Sequence, residues 1–215
     1  MLEAGLRDDH YFTLNGKRNS NFGKLIDPPL ELNSIIGTKK IKEFFPNYKT
    51  LDLILIVEKI LKVIDKLHRY NIILGDVKPA NFLITSRSYI YFVDTDNYQI
   101  EEFPSTAGEI EFTPPNRQGM NWDSYLKTLE DESFSIATLL FKIFMFRIGP
   151  YRYKGGGSIQ DNISNKSFPY KLNGEKSGLE LDVGLERWNK LPSYLKKSFY
   201  DYFNESKSIK VNDWM

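Results

Sequence analysis

The sequence predicts an α+β fold, mostly α, on three observations. Apolar residues recur at helical spacing from Leu51 to Tyr70, a stretch from Ser133 to Phe146 is apolar almost all round, and the short run Tyr89 to Val93 has strand composition. Each element follows from local chemistry. Residues 1 to 50 mix short apolar pieces with Gly16, Gly23, Pro28, Pro29 and Gly37, which reads as loops with one or two strands. Leu51, Ile54, Leu55, Val57, Ile60, Leu61, Ile64 and Leu67, with Glu58, Lys59, Lys62 and Lys66 between them, predict a helix with one buried face. His68 and Arg69 at its end suit the negative pole of the helix dipole.

Residues 72 to 88 contain Pro79 and short apolar pieces, so they read as a loop flanked by small strands. The Pro-, Gly- and Glu-rich stretch from 101 to 122 reads as extended loop ending near Pro114 and Pro115. The apolar helix from Ser133 to Phe146 is expected at the centre of the globule, since a solvent face would expose large side chains at about 1.5–3 kcal/mol each. Residues 148 to 186 read as irregular, with Gly155, Gly156 and Gly157 as a flexible surface loop. Pro192 then opens a helix with Leu195, Phe199, Tyr202 and Phe203 on one face.

Composition narrows the function classes. The 29 basic and 28 acidic residues leave a net charge of +1, so no global field points to nucleic acid or to an anionic membrane. The chain has no cysteine, which excludes a disulfide scaffold and a thiolate nucleophile and fits a reducing cytoplasmic setting. Two histidines argue against a histidine-based metal site. The first residues, MLEAGLRDDHYF, are acidic where a signal peptide is basic and then apolar, and no apolar run reaches the roughly 20 residues of a membrane span.

The segment Gly75-Asp76-Val77-Lys78-Pro79-Ala80-Asn81, followed by Asp94-Thr95-Asp96 after a strand, resembles the protein-kinase catalytic loop and its later metal-binding turn. Phe112-Thr113-Pro114-Pro115-Asn116 looks like the end of an activation segment, and Phe134 to Leu140 like the buried helix after it. The wording is closest to a bacterial kinase-like family with G-D, D-x-D and T-P-P-E variants of the kinase motifs. This resemblance implies a protein-kinase-like C-terminal lobe over residues 36–215. Residues 1–35 would be an N-terminal remnant and hinge-like segment, with the small lobe truncated or missing. A small lobe of five strands and a helix needs roughly 60 residues, and no G-x-G-x-x-G or V-A-I-K-like strand occurs here.

By the same resemblance, Asp76 orients a substrate hydroxyl, Lys78 contacts the transferring phosphate, and Asn81 and Asp94 hold Mg²⁺ beside ATP. Asp76 and Asn81 could instead be a loop pair bonding their own backbone, and Asp94 and Asp96 a solvated turn. Three departures stand out. Gly75 replaces the arginine that reads a phosphorylated segment, so switching by phosphorylation is not expected. Asn116 replaces a glutamate whose buried arginine partner is also missing near Ile209 to Trp214. Glu132, or a shifted Asp131, stands where the family braces its catalytic loop with Asp.

Three functions follow as expectations: a Ser/Thr-type kinase lobe, incomplete alone and acting with a complementing small lobe or partner on a protein substrate; a pseudokinase-like interaction module; or a small-molecule phosphotransferase of the aminoglycoside or choline kinase type. Thr113-Pro114-Pro115 and the Phe134 helix favour the protein-kinase branch over the third.

Overall fold

A computed structural model describes residues 29–37, 46–47, 49–85, 89–173, 175–178 and 181–215. The N-terminal expectations for 1–28, Gly16 and Gly23 among them, lie outside the described residues.

Strand β1, Leu30–Glu31, and the one-turn helix α1, Leu32–Ile35, open the described chain. Leu32, Ile35 and Ile36 are buried in the common core. The predicted amphipathic helix is α2, Thr50–Arg69. Asp52 starts it by accepting the Lys49 amide at 2.6 Å, which satisfies one of the donors that a helix N-terminus leaves free. Its apolar stripe is buried through Ile56, Ile60, Leu61 and Ile64.

Strands β2, Ile72–Ile73, and β5, Gln99–Ile100, form one antiparallel pair. Strands β3, Phe82–Ile84, and β4, Ile90–Phe92, form a hairpin with β1 on its outer side. Phe82 lies opposite Phe92, with rings edge to face at 4.9 Å, the favoured geometry for a cross-strand aromatic pair.

The central helix is α3, Leu129–Phe144, four residues earlier at its start than the hydrophobic run suggests. A capping box makes the difference: Thr128 Oγ1 accepts the Asp131 amide at 3.1 Å, and Asp131 Oδ2 accepts the Thr128 amide at 2.9 Å. The helix stops at Phe144 because Phe146 and Arg147 turn to positive φ, and Arg187 covers its end by donating to the Met145 and Phe146 carbonyls. Phe134 to Phe141 is buried without interruption.

The stretch expected to be irregular carries a short helix α4, Ile159–Ser164, and the start of α5, Asp182–Lys190. Helix α6, Ser193–Phe203, follows Pro192 as predicted. Phe141 is the hub of this half of the core. Its ring lies 5.1–5.8 Å from those of Phe199, Phe203, Tyr170 and Phe168. No helix among the described residues is long and apolar enough to cross a membrane.

Candidate functional site

The loop between β2 and β3 carries Asp76, Lys78 and Asn81, and the β3–β4 hairpin returns the chain to it. Phe82 pairs with Phe92, and the Val93 amide donates to the Asn81 carbonyl at 3.1 Å. Asp94 is therefore the next residue beyond the point where the strand closes on Asn81. Two sequence segments thirteen residues apart meet at one end of a hairpin.

Within the loop, Lys78 Nζ lies 2.7 Å from Asp76 Oδ2 and 3.5 Å from Glu109 Oε1. Burial pulls the lysine pKa down, but the two carboxylates outweigh it and hold the ammonium above its ordinary value. Asn81 Nδ2 donates to the Asp76 carbonyl at 2.8 Å and to Asp76 Oδ2 at 3.2 Å. Asp76 is 5% exposed, and its Oδ1 is buried with no hydrogen-bond partner among the described residues. A buried carboxylate oxygen left unpaired is costly, and such atoms gather where a ligand completes the bonding.

Asp94 is exposed and adopts the left-handed conformation, φ 63° and ψ 37°, which aspartate tolerates better than most residues. Its carboxylate has no hydrogen-bond or ion-pair partner among the described residues. With the Asn81 side-chain nitrogen engaged by Asp76, the atoms left over are Asn81 Oδ1 and the Asp94 carboxylate. That donor set suits Mg²⁺, which takes hard oxygens, accepts one or two protein ligands and fills the rest with water and phosphate. Asn81 and Asp94 are the residues that could hold such an ion.

The loop is held from below by α3. Glu132 is 2% exposed and accepts the Leu74 amide at 3.1 Å and the Gly75 amide at 2.7 Å, and His68 Nε2 lies 2.8 Å from Oε1. The position anticipated for a brace is thus filled by Glu132 and not by Asp131. His68, expected as a helix-end charge, belongs to this support instead. Asp131 pairs instead with Arg117, whose Nε lies 3.3 Å from Oδ1 and whose guanidinium sits 4.5 Å from the Tyr125 ring centroid. This pair anchors the loop after Thr113-Pro114-Pro115, so an ion pair missing at Asn116 is replaced one residue along. Ser135 Oγ donates to the Phe112 carbonyl at 2.7 Å, and Lys142 pairs with Glu111, fixing the same loop to α3 at two further points.

Gly75 has φ +77°, and a Cβ placed there would lie 2.1 Å from Ser105 Oγ and 2.3 Å from Ser105 Cβ. Backbone conformation and space both demand glycine. We expect Gly75→Ala to cost at least about 1–2 kcal/mol from the left-handed backbone alone. Urea titration measures it, and Ser105→Gly in the same chain should recover only the steric remainder.

Sequence reasoning missed Glu109, Ser105, Gln99 and Lys127. None lies in a periodic pattern or a motif, and only the three-dimensional path of residues 97–127 brings them beneath Gly75.

No family model matches the chain. It is 21% identical over 208 residues to the protein kinase YegI of Escherichia coli K12, and equally to that of E. coli O157:H7. The match covers 90% of this chain and 32% of each relative, so the chain spans about a third of their length. Among solved structures, it superimposes with a TM-score of 0.57 on the yeast RNA Pol II CTD kinase CTDK-1 complex, at 13% identity, covering 87% of this chain and 66% of that one. The fold is thus protein-kinase-like, and the sequence is distantly similar to proteins named protein kinases.

Proposed function

We propose that the chain supplies the phosphoryl-transfer half of a Ser/Thr-type kinase-like catalytic unit and acts on MgATP. Asp76 orients the acceptor hydroxyl of a protein substrate, Lys78 contacts the transferring phosphate, and Asn81 and Asp94 hold Mg²⁺. The observation that carries this reading is the buried, unpartnered Asp76 Oδ1 within a hydrogen-bonded Asp76–Lys78–Asn81 set. A general base needs an acceptor not already committed within the protein, and this oxygen is uncommitted; an incoming hydroxyl reaches it once the side chains that cover it move aside. The sequence contains no glycine-rich loop and no strand lysine to roof the nucleotide, so another segment or partner chain must provide that grip. The cysteine-free composition suits a cytoplasmic protein.

Alone, the chain is expected to bind MgATP weakly and to show no appreciable transfer. Positioning can contribute about 7–11 kcal/mol of barrier reduction, and an open, one-sided site forfeits a large part of it. Calorimetric titration with MgATP, paired with a labelled-phosphate assay on generic protein substrates, measures both. Binding that disappears in Asp94→Asn supports the reading. Binding that is indifferent to Asp94→Asn defeats the metal assignment, and brisk turnover by the isolated chain defeats the need for a second lobe.

A second reading, a catalytically silent interaction module, is favoured by one feature. Lys78 is already flanked by Asp76 and Glu109, so phosphate must compete for it. Under that reading Glu109→Gln leaves MgATP affinity unchanged. Under the first reading the substitution raises it.

A further inference from the structure

Lys127 lies outside every motif in the sequence, and the proposed chemistry makes no use of it. Lysine is rarely buried without a matched charge, yet Lys127 is 9% exposed and has no carboxylate within ion-pair distance among the described residues. An ammonium has three N–H donors, and here each has an oxygen. Nζ lies 2.7 Å from the Gly75 carbonyl, 3.1 Å from Ser105 Oγ and 2.5 Å from the Ala107 carbonyl. The backbone of the same residue is fixed as well, its amide donating to Gln99 Oε1 and its carbonyl accepting from Gln99 Nε2, both at 2.7 Å.

These partners come from three places in the chain. Gly75 immediately precedes Asp76, Ser105 and Ala107 belong to the stretch between the Asp94 turn and Thr113, and Gln99 belongs to β5. One side chain therefore joins the loop carrying Asp76 to the segment that supplies Glu109. Ser105 fills the space that a side chain at position 75 would need, so a cation could not be presented from the loop side. It is presented from the opposite side.

We propose that Lys127 is a positioning residue that clamps the 105–107 segment onto the catalytic loop and orders residues 101–113 without any phosphorylation. This rests on the reading of residues 75–81 as the catalytic loop. The clamp makes a phosphate unnecessary because its cation is met by neutral oxygens of the segment itself.

The charge on Lys127 also makes the clamp sensitive to pH. Burial pulls its pKa down to about 8, against the opposing pull of Glu132 and Asp131 from α3 and of Asp76 from the loop. Opening the segment would return Lys127 to water and to its ordinary pKa, so the closed clamp binds fewer protons than the open one and closure is favoured further as pH rises above about 8. Global stability responds with the same sign. The folded pKa lies below the unfolded value of 10.5, so the unfolded chain binds more protons between these limits, and this group's contribution to stability rises with pH there.

The test is hydrogen exchange on the full chain after phosphatase treatment, corrected for intrinsic rates and followed by mass spectrometry over 101–113. Wild type should be protected at pH 7 and gain protection as pH rises above about 8, in step with this group's contribution to global stability. Lys127→Met should lower protection of 101–113 about tenfold at pH 7 and abolish the pH dependence, leaving the 134–141 stretch of α3 protected. If Lys127→Met does not fold, Ser105→Ala removes one leg of the clamp and should give a smaller loss at the same peptides. Protection in 101–113 that is unchanged in these variants, flat in pH through the wild-type titration, or dependent on phosphorylation would overturn the proposal. The readout needs no nucleotide, so a chain that passes it yet binds no MgATP supports the clamp and refutes only the phosphotransfer reading.

Discussion

Phe141→Ala is expected to lower the unfolding free energy by about 3–5 kcal/mol. Phe141 is 0% exposed, and its ring packs edge to face on Phe199, Phe203 and Phe168 and tilted on Tyr170 and Trp188. Alanine forfeits the transfer energy of the ring. It also leaves a cavity that five surrounding rings cannot fill, because each is held by its own neighbours. A domain of this size is stable by only about 5–15 kcal/mol, so the variant should be close to unfolding at 37 °C. Urea denaturation followed by the fluorescence of the three tryptophans, of which Trp188 packs on Phe141, reports the change. Tyr194→Ala is the control: Tyr194 is 72% exposed, and its loss should stay within about 0.5 kcal/mol. A Phe141→Ala cost near that of the control would mean the aromatic cluster is not the centre of the core.

Glu132→Ala is expected to cost about as much, by a different route. The substitution leaves the Leu74 and Gly75 amides and the His68 ring without their acceptor, and each buried donor so stranded costs about 1–3 kcal/mol. The damage falls on the residues immediately before Asp76, so under the proposed function MgATP binding weakens together with stability. Glu132→Gln keeps one acceptor oxygen and should lose less of both. Hydrogen exchange at the Leu74 and Gly75 amides separates this from general destabilisation: protection there should drop before that of the α3 core. Equal losses at both places would show that Glu132 acts on the core and not on the loop.

The fold was legible where burial imposes a period. The α2 stripe and the all-apolar α3 follow from spacing and composition, since those helices must bury what the sequence makes apolar. The start of α3 at Leu129 was less visible, because the capping box Thr128–Asp131 precedes the hydrophobic run that drew the boundary. Helix α4 was missed because it has only six residues, too few for a periodic signal. At the site, Asp76, Lys78, Asn81 and Asp94 stood out by motif spacing, and the hairpin register explains how residues 81 and 94 come together. The choice between Glu132 and Asp131 as brace could not be made from sequence, since both carboxylates occupy the first turn of α3. Which one faces the loop depends on helix phase, and that is set when Asp131 is taken up by Thr128 and Arg117.

The reach of the Glu132 contacts has a consequence for how the chain matures. Leu74 and Gly75 are joined to a residue 58 and 57 positions later, and His68 to one 64 positions later. On a ribosome, the segment that carries Asp76 emerges long before its acceptor has been made. Until residue 132 clears the exit tunnel and α3 docks, the Leu74 and Gly75 amides have only water to bond, and the loop has no fixed shape. The geometry of the candidate site is therefore a late product of synthesis, completed from the C-terminal side, and a translation product ending before α3 would carry all four motif residues without the contacts that hold their loop.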